Sequence, residues 1–284
     1  MADECKKDDK VTVGKDTVYG IIIVALVALL TISIFTHGFG IVPCKGVSFI
    51  NYTTANGTTK IMVSGVPQLT LDKGSLPAYG QSSAPVSWIT FSDYQCPFCA
   101  KLENDAVASV KSNYVSTGKV KLYWKDMPLS GHDKAKTAAI AARCANEQGK
   151  FWEMHGKIFT NQNSWSSTDA SKVKTTFEGY ASAIGLDSTK FSSCLSTNTY
   201  DTQISKDTND AKSAGVSGTP GVLVVLPKDK TDYNSLDSVV KTYPPHPVYG
   251  GGMVMYQDED NYIVLVGGAY PYSAFEALLK TVTY

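Results

Sequence analysis

Two cysteines separated by two residues, Cys96-Pro97-Phe98-Cys99, are the side chains of this sequence best placed to do chemistry. Thiols at that spacing can close a small ring, so the pair can cycle between dithiol and disulfide. The thiolate is the form that attacks a disulfide or binds a metal. It is favoured where unpaired backbone N–H groups and the positive end of a helix dipole face the sulfur. Two blander uses of the pair stay open at this point. A structural zinc site needs four ligands, but there is no second Cys-x-x-Cys, and His37, His132, His155 and His246 are scattered. An inert structural disulfide would leave unexplained why the pair sits between two regular elements.

Those elements can be read from periodicity. The apolar run 86–91, Val-Ser-Trp-Ile-Thr-Phe, reads as a buried strand just ahead of Cys96. Residues 97–118 read as a helix stopped by Gly118, with Pro97 in the first turn, where a missing N–H costs nothing. Residues 120–124 alternate and read as a second strand. This β-α-β unit implies a parallel pair with a right-handed crossover. Helices are then expected over 133–144, 151–159, 171–184, 188–194 and 201–214. Two apolar strands follow at 222–226 and 262–266, and a closing helix at 272–282. The Pro- and Gly-rich stretch between the last two strands, 227–261, reads as a long loop. A strand, a Cys-x-x-Cys and a helix in that order signal a thioredoxin-like redox site.

The 284 residues suffice for a sizeable core, and the formal net charge is zero, with no run of Lys and Arg. Nothing in that balance points to nucleic acid. Residues 20–35 are an uncharged apolar run which, extended to 42, reaches the length of a membrane span. Lys6, Lys7, Lys10 and Lys15 precede it, and only Lys45 and Lys60 follow closely. Positive residues stay on the cytoplasmic side, so the remainder of the chain is expected outside. A cleaved signal peptide is the competing reading; the long apolar run and the lack of a small-x-small cleavage pattern favour an uncleaved anchor. The organisation expected is a cytoplasmic tail 1–17, a transmembrane anchor 18–42, an extracytoplasmic linker 43–79 and a folded domain 80–284, with a helical insertion over about 131–214. Two Asn-x-Thr sequons, at Asn51 and Asn56, fall in the linker and fit an outside location.

Four pieces recur in order: 91–99 with the Cys-x-x-Cys, 141–152 (AARCANEQGKFW), Gly218-Thr219-Pro220, and 268–272 (GAYPY) before the last helix. With them, residues 80–284 resemble the DsbA-like thiol–disulfide oxidoreductases. The fold this implies is α/β: a thioredoxin fold interrupted by a helical domain, here preceded by one transmembrane helix. The resemblance makes Cys96 the exposed attacking cysteine and Cys99 the resolving one. Thr219 and Pro220 become a cis-proline loop that binds substrate as an added strand, beside Pro97 and Phe98. It also implies a structural disulfide between Cys144 and Cys194, which share the helical block; two buried free thiols are the alternative. Cys5 is expected to be reduced, and Cys44 to lack a partner within the chain.

By the same resemblance the chain introduces disulfides into exported proteins that carry free thiols, and a membrane quinone-linked partner reoxidises it. No cofactor and no metal are implied. Two departures stand out. Many such proteins carry a buried acid on the strand before the Cys-x-x-Cys to take the resolving cysteine's proton. Thr90 stands there here, leaving Asp93, Glu103 or water. The stretch 227–261 replaces what is usually a tight hairpin, and reads as a solvent-exposed insertion of no catalytic use. Phe98 and Thr219 also occur in isomerase-type proteins, so an isomerase or reductase is the alternative within the fold. A non-enzymatic tethered chaperone is the alternative outside it.

Overall fold

The computed structural model describes residues 72–197, 199–245 and 251–284, together with the backbone of 52–54 and 57–59. The expected cytoplasmic tail and anchor lie outside the described residues, as do Cys5 and Cys44. Among the described residues no helix is long and apolar enough to cross a membrane. Two short strands, β1 (Tyr52–Thr54) and β2 (Gly57–Thr59), pair antiparallel.

The folded part is built on a five-stranded sheet. Its strands are β3 (Val86–Ser92), β4 (Val120–Asp126), β5 (Gly221–Pro227), β6 (Gly252–Gln257) and β7 (Asn261–Gly267). Their spatial order is β4-β3-β5-β7-β6. β3 and β4 run parallel, with Val86 opposite Val120; the other pairs are antiparallel. Every residue of β3 is buried, because both faces of the sheet are covered. Successive side chains of a strand point to opposite faces. Val86 and Trp88 join one apolar core with α1 (Pro97–Leu102) and the closing helix. Ile89 and Phe91 join another, beside Ala211, Ala214 and Val216.

Helix α1 continues through a π turn (Glu103–Val107), an α turn (Ala108–Val110) and a second π turn (Lys111–Val115). The helical block follows β4: α2 (Ala135–Asn146), α3 (Phe151–Thr160), α4 (Gln162–Ser166), α5 (Val173–Ala183), α6 (Ser188–Leu195) and α7 (Asp201–Ser213). It has its own core, to which Tyr94, Cys96, Cys99 and Trp124 belong. Cys144 of α2 and Cys194 of α6 are disulfide-bonded, with an S–S distance of 2.00 Å.

A buried ionic cluster joins this block to the sheet. Arg143 of α2 donates from Nε to Asp126 Oδ2 and from Nη2 to Asp207 Oδ2, both at 2.6 Å. Lys125 of β4 reaches Asp210 at 2.5 Å and Asp207 at 3.4 Å. Burial and the neighbouring Asp126 carboxylate push Asp207 up to about 6, against the pull of Arg143 and Lys125. Removing one member of such a cluster strands the others as unpaired buried charges. The end of the expected linker also packs here. Asp72 pairs with Lys206, Leu76 is buried, and Tyr79 bridges to Leu122.

The stretch 227–261 is not a loop. Lys228–Lys230 forms a 3-10 turn, and α8 (Tyr233–Thr242) follows, its N-terminus capped by the Asp232 carboxylate accepting from Asn234 N at 3.0 Å. Leu236 of α8 is fully buried against the first core. β6 follows, and a tight hairpin to β7 is present after all, closed by Asp258 accepting from Asn261 N at 2.7 Å. The addition therefore lies between β5 and β6. Gly252 makes its return possible: its φ is +91°, and a Cβ there would fall 2.5 Å from Pro244 O. The chain ends in α9 (Tyr272–Leu279), whose Phe275 ring lies 4.4 Å from that of Trp88.

Candidate active site

β3 delivers the chain into residues 93–95 and then into α1, so Cys96 stands at the N-cap of that helix and Cys99 in its first turn. Cys96 has extended backbone (φ −72°, ψ 123°), and Pro97 occupies the first helical position. Cys96 O accepts from Cys99 N at 3.1 Å and from Ala100 N at 3.2 Å. The N–H groups left unpaired at this helix end therefore face the Cys96 side chain.

The two free thiols are unlike. A hydrogen bond from Cys99 is the largest influence on Cys96 and favours its thiolate. Burial opposes it, while Thr219 and the Cys99 and Phe98 N–H groups add to it, and Cys96 is lowered to about 6. Burial pushes Cys99 well up, and its role as donor to Cys96 and the like charge there push it further, against donors at Ser92 and Asp93 N. Asp93 N lies 3.5 Å from Cys99 Sγ. One sulfur is thus prepared as nucleophile and leaving group, and the other holds the proton.

The reduced pair is more covered than the sequence reading has it. Cys96 is 4% exposed and Cys99 0%. The cover over Cys96 is the Thr219 carbonyl, which accepts its S–H at 3.5 Å. The Thr219–Pro220 bond is cis. The Thr219 hydroxyl is buried and has no hydrogen-bond partner. Beside this loop lies a groove of about 550 Å³, lined by Phe98, Thr219, Pro220, Val254, Leu265 and Tyr270 among others. Phe98 stands 62% exposed at its edge, whereas Tyr94 is buried. Pro245, Gly251 and Val254 bring the addition before β6 to the groove wall. The addition thus lies beside the site, although it reads from sequence as a solvent-exposed insertion of no catalytic use.

The candidate proton acceptors are placed as follows. Thr90 Oγ1 accepts from Trp88 Nε1 at 2.7 Å, so no carboxylate stands at that position. Asp93 accepts from Gln95 N and Leu129 N and pairs with His132 Nδ1 at 2.7 Å. Glu103 is committed to His155 at 3.4 Å and Lys111 at 3.6 Å. Burial pushes its carboxyl up, but the interactions with His155 and Lys111 outweigh it and hold it low. His155 itself lies among Tyr94, Trp124, Trp152 and Phe159. Among the described residues no group of three or more His, Cys, Asp or Glu is arranged to hold a metal ion.

Sequence reasoning missed the groups that hold this site in place. Arg143 had a legible signal: a cation amid the alanines of α2 implies a buried acid partner. Gln162 had none, since a glutamine after Asn161 reads as a helix start on the surface.

A family model described as thioredoxin matches residues 72–240, more than half of the chain. Disulfide bond formation protein D of Bacillus subtilis is 26% identical over 194 residues, which cover 63% of this chain and 80% of that protein. Na(+)/H(+) antiporter NhaA 1 of Salinispora arenicola is 31% identical over 156 residues, 55% of this chain. The chain spans only 22% of that relative's length. Among solved structures, Wolbachia pipientis alpha-DsbA1 superposes with a TM-score of 0.55 at 20% identity, covering 74% of this chain and 92% of its own. That likeness is one of fold. With a matching family model, a cis-proline loop against a Cys-x-x-Cys helix and a helical block between the two halves of the sheet, the chain belongs to the thioredoxin family and has the DsbA-like form of its fold.

Proposed function

We propose that this chain is an extracytoplasmic thiol–disulfide oxidoreductase that introduces disulfides into exported proteins. The observation that carries the reading is the opposed preparation of the two thiols, Cys96 lowered to about 6 and Cys99 pushed well up. A stabilised Cys96 thiolate stabilises the reduced form, so the disulfide form is an oxidant. In the reaction a substrate thiolate attacks Cys96 Sγ of the Cys96–Cys99 disulfide. The Cys96–Cys99 bond breaks, a substrate–Cys96 bond forms, and Cys99 leaves as a thiolate that takes a proton. A second substrate thiolate attacks the substrate sulfur, and Cys96 leaves as its thiolate. The substrate is oxidised by two electrons and the protein is left as the dithiol.

The groove beside Thr219 and Pro220 would receive the substrate segment as an extended strand, with Phe98 against its apolar side chains. The low-identity relative named for disulfide bond formation supports the direction of flow. The apolar run and lysine asymmetry at the N-terminus support an anchor over 18–42 with the domain outside, and the Cys144–Cys194 bond suits an oxidising compartment. A quinone-linked membrane partner would accept the electrons. The test is the equilibrium of the Cys96–Cys99 pair with glutathione. An oxidase is expected to be reduced readily by it; a potential near or below the cytosolic glutathione poise would replace this reading with a reductase.

A further inference from the structure

The peptide that carries Cys96 is gripped mainly from the helical block. Gln95 Oε1 accepts from Lys134 N at 2.8 Å, and Gln95 Nε2 donates to Asp133 Oδ1 at 3.1 Å. Tyr94 OH meets His155 Nδ1 at 3.1 Å. Gln162, the first residue of α4, does something different: it holds the main chain of the nucleophile. Its Nε2 donates to Tyr94 O and to Cys96 O, both at 2.8 Å. Its side chain lies in the interior, with the residue 6% exposed. Both partners are carbonyl oxygens, so the amide nitrogen must face them and both its hydrogens are used.

The second of those carbonyls is the pivot of the site. Cys96 O already accepts the first two hydrogen bonds of α1, from Cys99 N and Ala100 N. A third donor outside the helix fixes the plane of the 96–97 peptide. That plane sets where Cys96 Sγ sits relative to the Phe98 and Cys99 N–H groups. Without Gln162, Tyr94 O loses its side-chain donor in the interior, and the 96–97 peptide is held at its carbonyl by the helix N–H groups alone.

We propose that Gln162 is a positioning residue for Cys96, through which the helical block aims the first-turn N–H groups at the nucleophilic sulfur. The inference rests on Cys96 being the nucleophile. It gives the helical block a part in the chemistry as well as in packing. Gln162 touches neither sulfur nor substrate, and acts through the Cys96 carbonyl.

The test is the titration of Cys96 by thiolate absorbance at 240 nm in the full chain, with alkylation rates at pH 5 beside it. Gln162→Leu removes both donors at similar volume, and Gln162→Asn keeps the amide without adding charge but is too short to reach both carbonyls. Each is expected to raise the midpoint by about half a unit or more, read as a roughly threefold slower alkylation. Phe191→Leu, fully buried in the same core but on α6, is the control for lost packing, and is expected to lower stability with the midpoint unmoved. A wild-type midpoint near 6 that neither Gln162 variant moves would overturn the positioning role alone. The same shift in Phe191→Leu would overturn it too. A wild-type midpoint near that of a free thiol would instead overturn the reading on which the inference rests. Should Gln162→Leu fail to fold, Gln162→Asn carries the test, since it retains a neutral amide in the interior and loses only the reach to both carbonyls.

Discussion

The chain holds two described cysteine pairs, and their surroundings differ in every respect that governs reactivity. Cys96 and Cys99 are two residues apart in one helical turn, where backbone N–H groups converge on the first sulfur. Cys144 and Cys194 are fifty residues apart and join the last turn of α2 to the last turn of α6. No helix N-terminus serves either of them, and Glu147 Oε1 lies 3.4 Å from Cys194 Sγ. A carboxylate at that distance disfavours a thiolate. The same atoms thus make a switch in one place and a brace in the other. What separates them is the supply of donors, not the burial of the sulfur: Cys144 and Cys99 are equally inaccessible.

The sharpest way to break that contrast is to remove each sulfur of the first pair. Cys96→Ser is expected to abolish exchange and to capture no substrate. Cys99→Ser is expected to accumulate mixed disulfides through Cys96, because the resolving thiol is gone. Non-reducing gels against an unfolded substrate that carries a disulfide read both: the Cys96 thiolate attacks that disulfide, a substrate–Cys96 bond forms, and the other substrate sulfur leaves as a thiolate. Equal capture by the two variants would mean that the thiols are not differentiated.

The second pair is expected to answer in stability. Replacing both Cys144 and Cys194 by Ala opens a loop of fifty residues, which costs on the order of 3–4 kcal/mol. Chemical denaturation measures it. Exchange by the folded double variant is expected to persist. A folded variant that had lost exchange would show that the brace takes part in the switch.

How much of this was legible follows from the range of the forces involved. Local signals marked β3, the proline at the start of α1 and the helices of the insertion, each to within a few residues. The Pro- and Gly-rich stretch hid α8 and β6, because their pattern is short and Gly250-Gly251-Gly252 masks the strand start. Leu236, Val239 and Val240 carry the helical spacing, amid Asp, Asn and Ser that favour turns. The cysteines and the Thr219–Pro220 loop were legible as a motif. The grip on the motif was not. Gln162 lies sixty-six residues from Cys96, and only the packed fold brings an amide to that carbonyl.

A smaller effect should appear as pH dependence confined to the first pair. In the reduced protein Cys96 titrates at about 6, against about 8.5 for an unfolded thiol. Between those values the unfolded chain binds more protons, so the stability of the reduced form rises with pH, and the gain is lost as pH falls through 6. Discounted for solvent screening, the gain is on the order of 1–2 kcal/mol. The oxidised protein has no such thiol to titrate. Denaturation of both forms at pH 5.5 and 8.5 therefore compares like with like. A difference between the forms that stayed constant with pH would remove the activated thiolate.

The finest test concerns a single hydroxyl. Thr219 Oγ1 is buried without a partner, and the Thr219 side chain beside Cys96 favours its thiolate. Thr219→Val keeps the shape and the carbonyl that covers Cys96 but deletes that donor. The dithiol loses nothing it was using, so stability at pH 5 should hold within about 0.5 kcal/mol. The thiolate loses a hydrogen bond, so the Cys96 midpoint should rise by roughly half a unit. A poorer thiolate is a poorer leaving group, and mixed disulfides captured by Cys99→Ser should then persist longer in the Thr219→Val background. The two readouts must move together. A raised midpoint with unchanged persistence would confine Thr219 to solvation of the free sulfur, and an unmoved midpoint would leave the donors of α1 and Cys99 as the whole cause of the Cys96 shift.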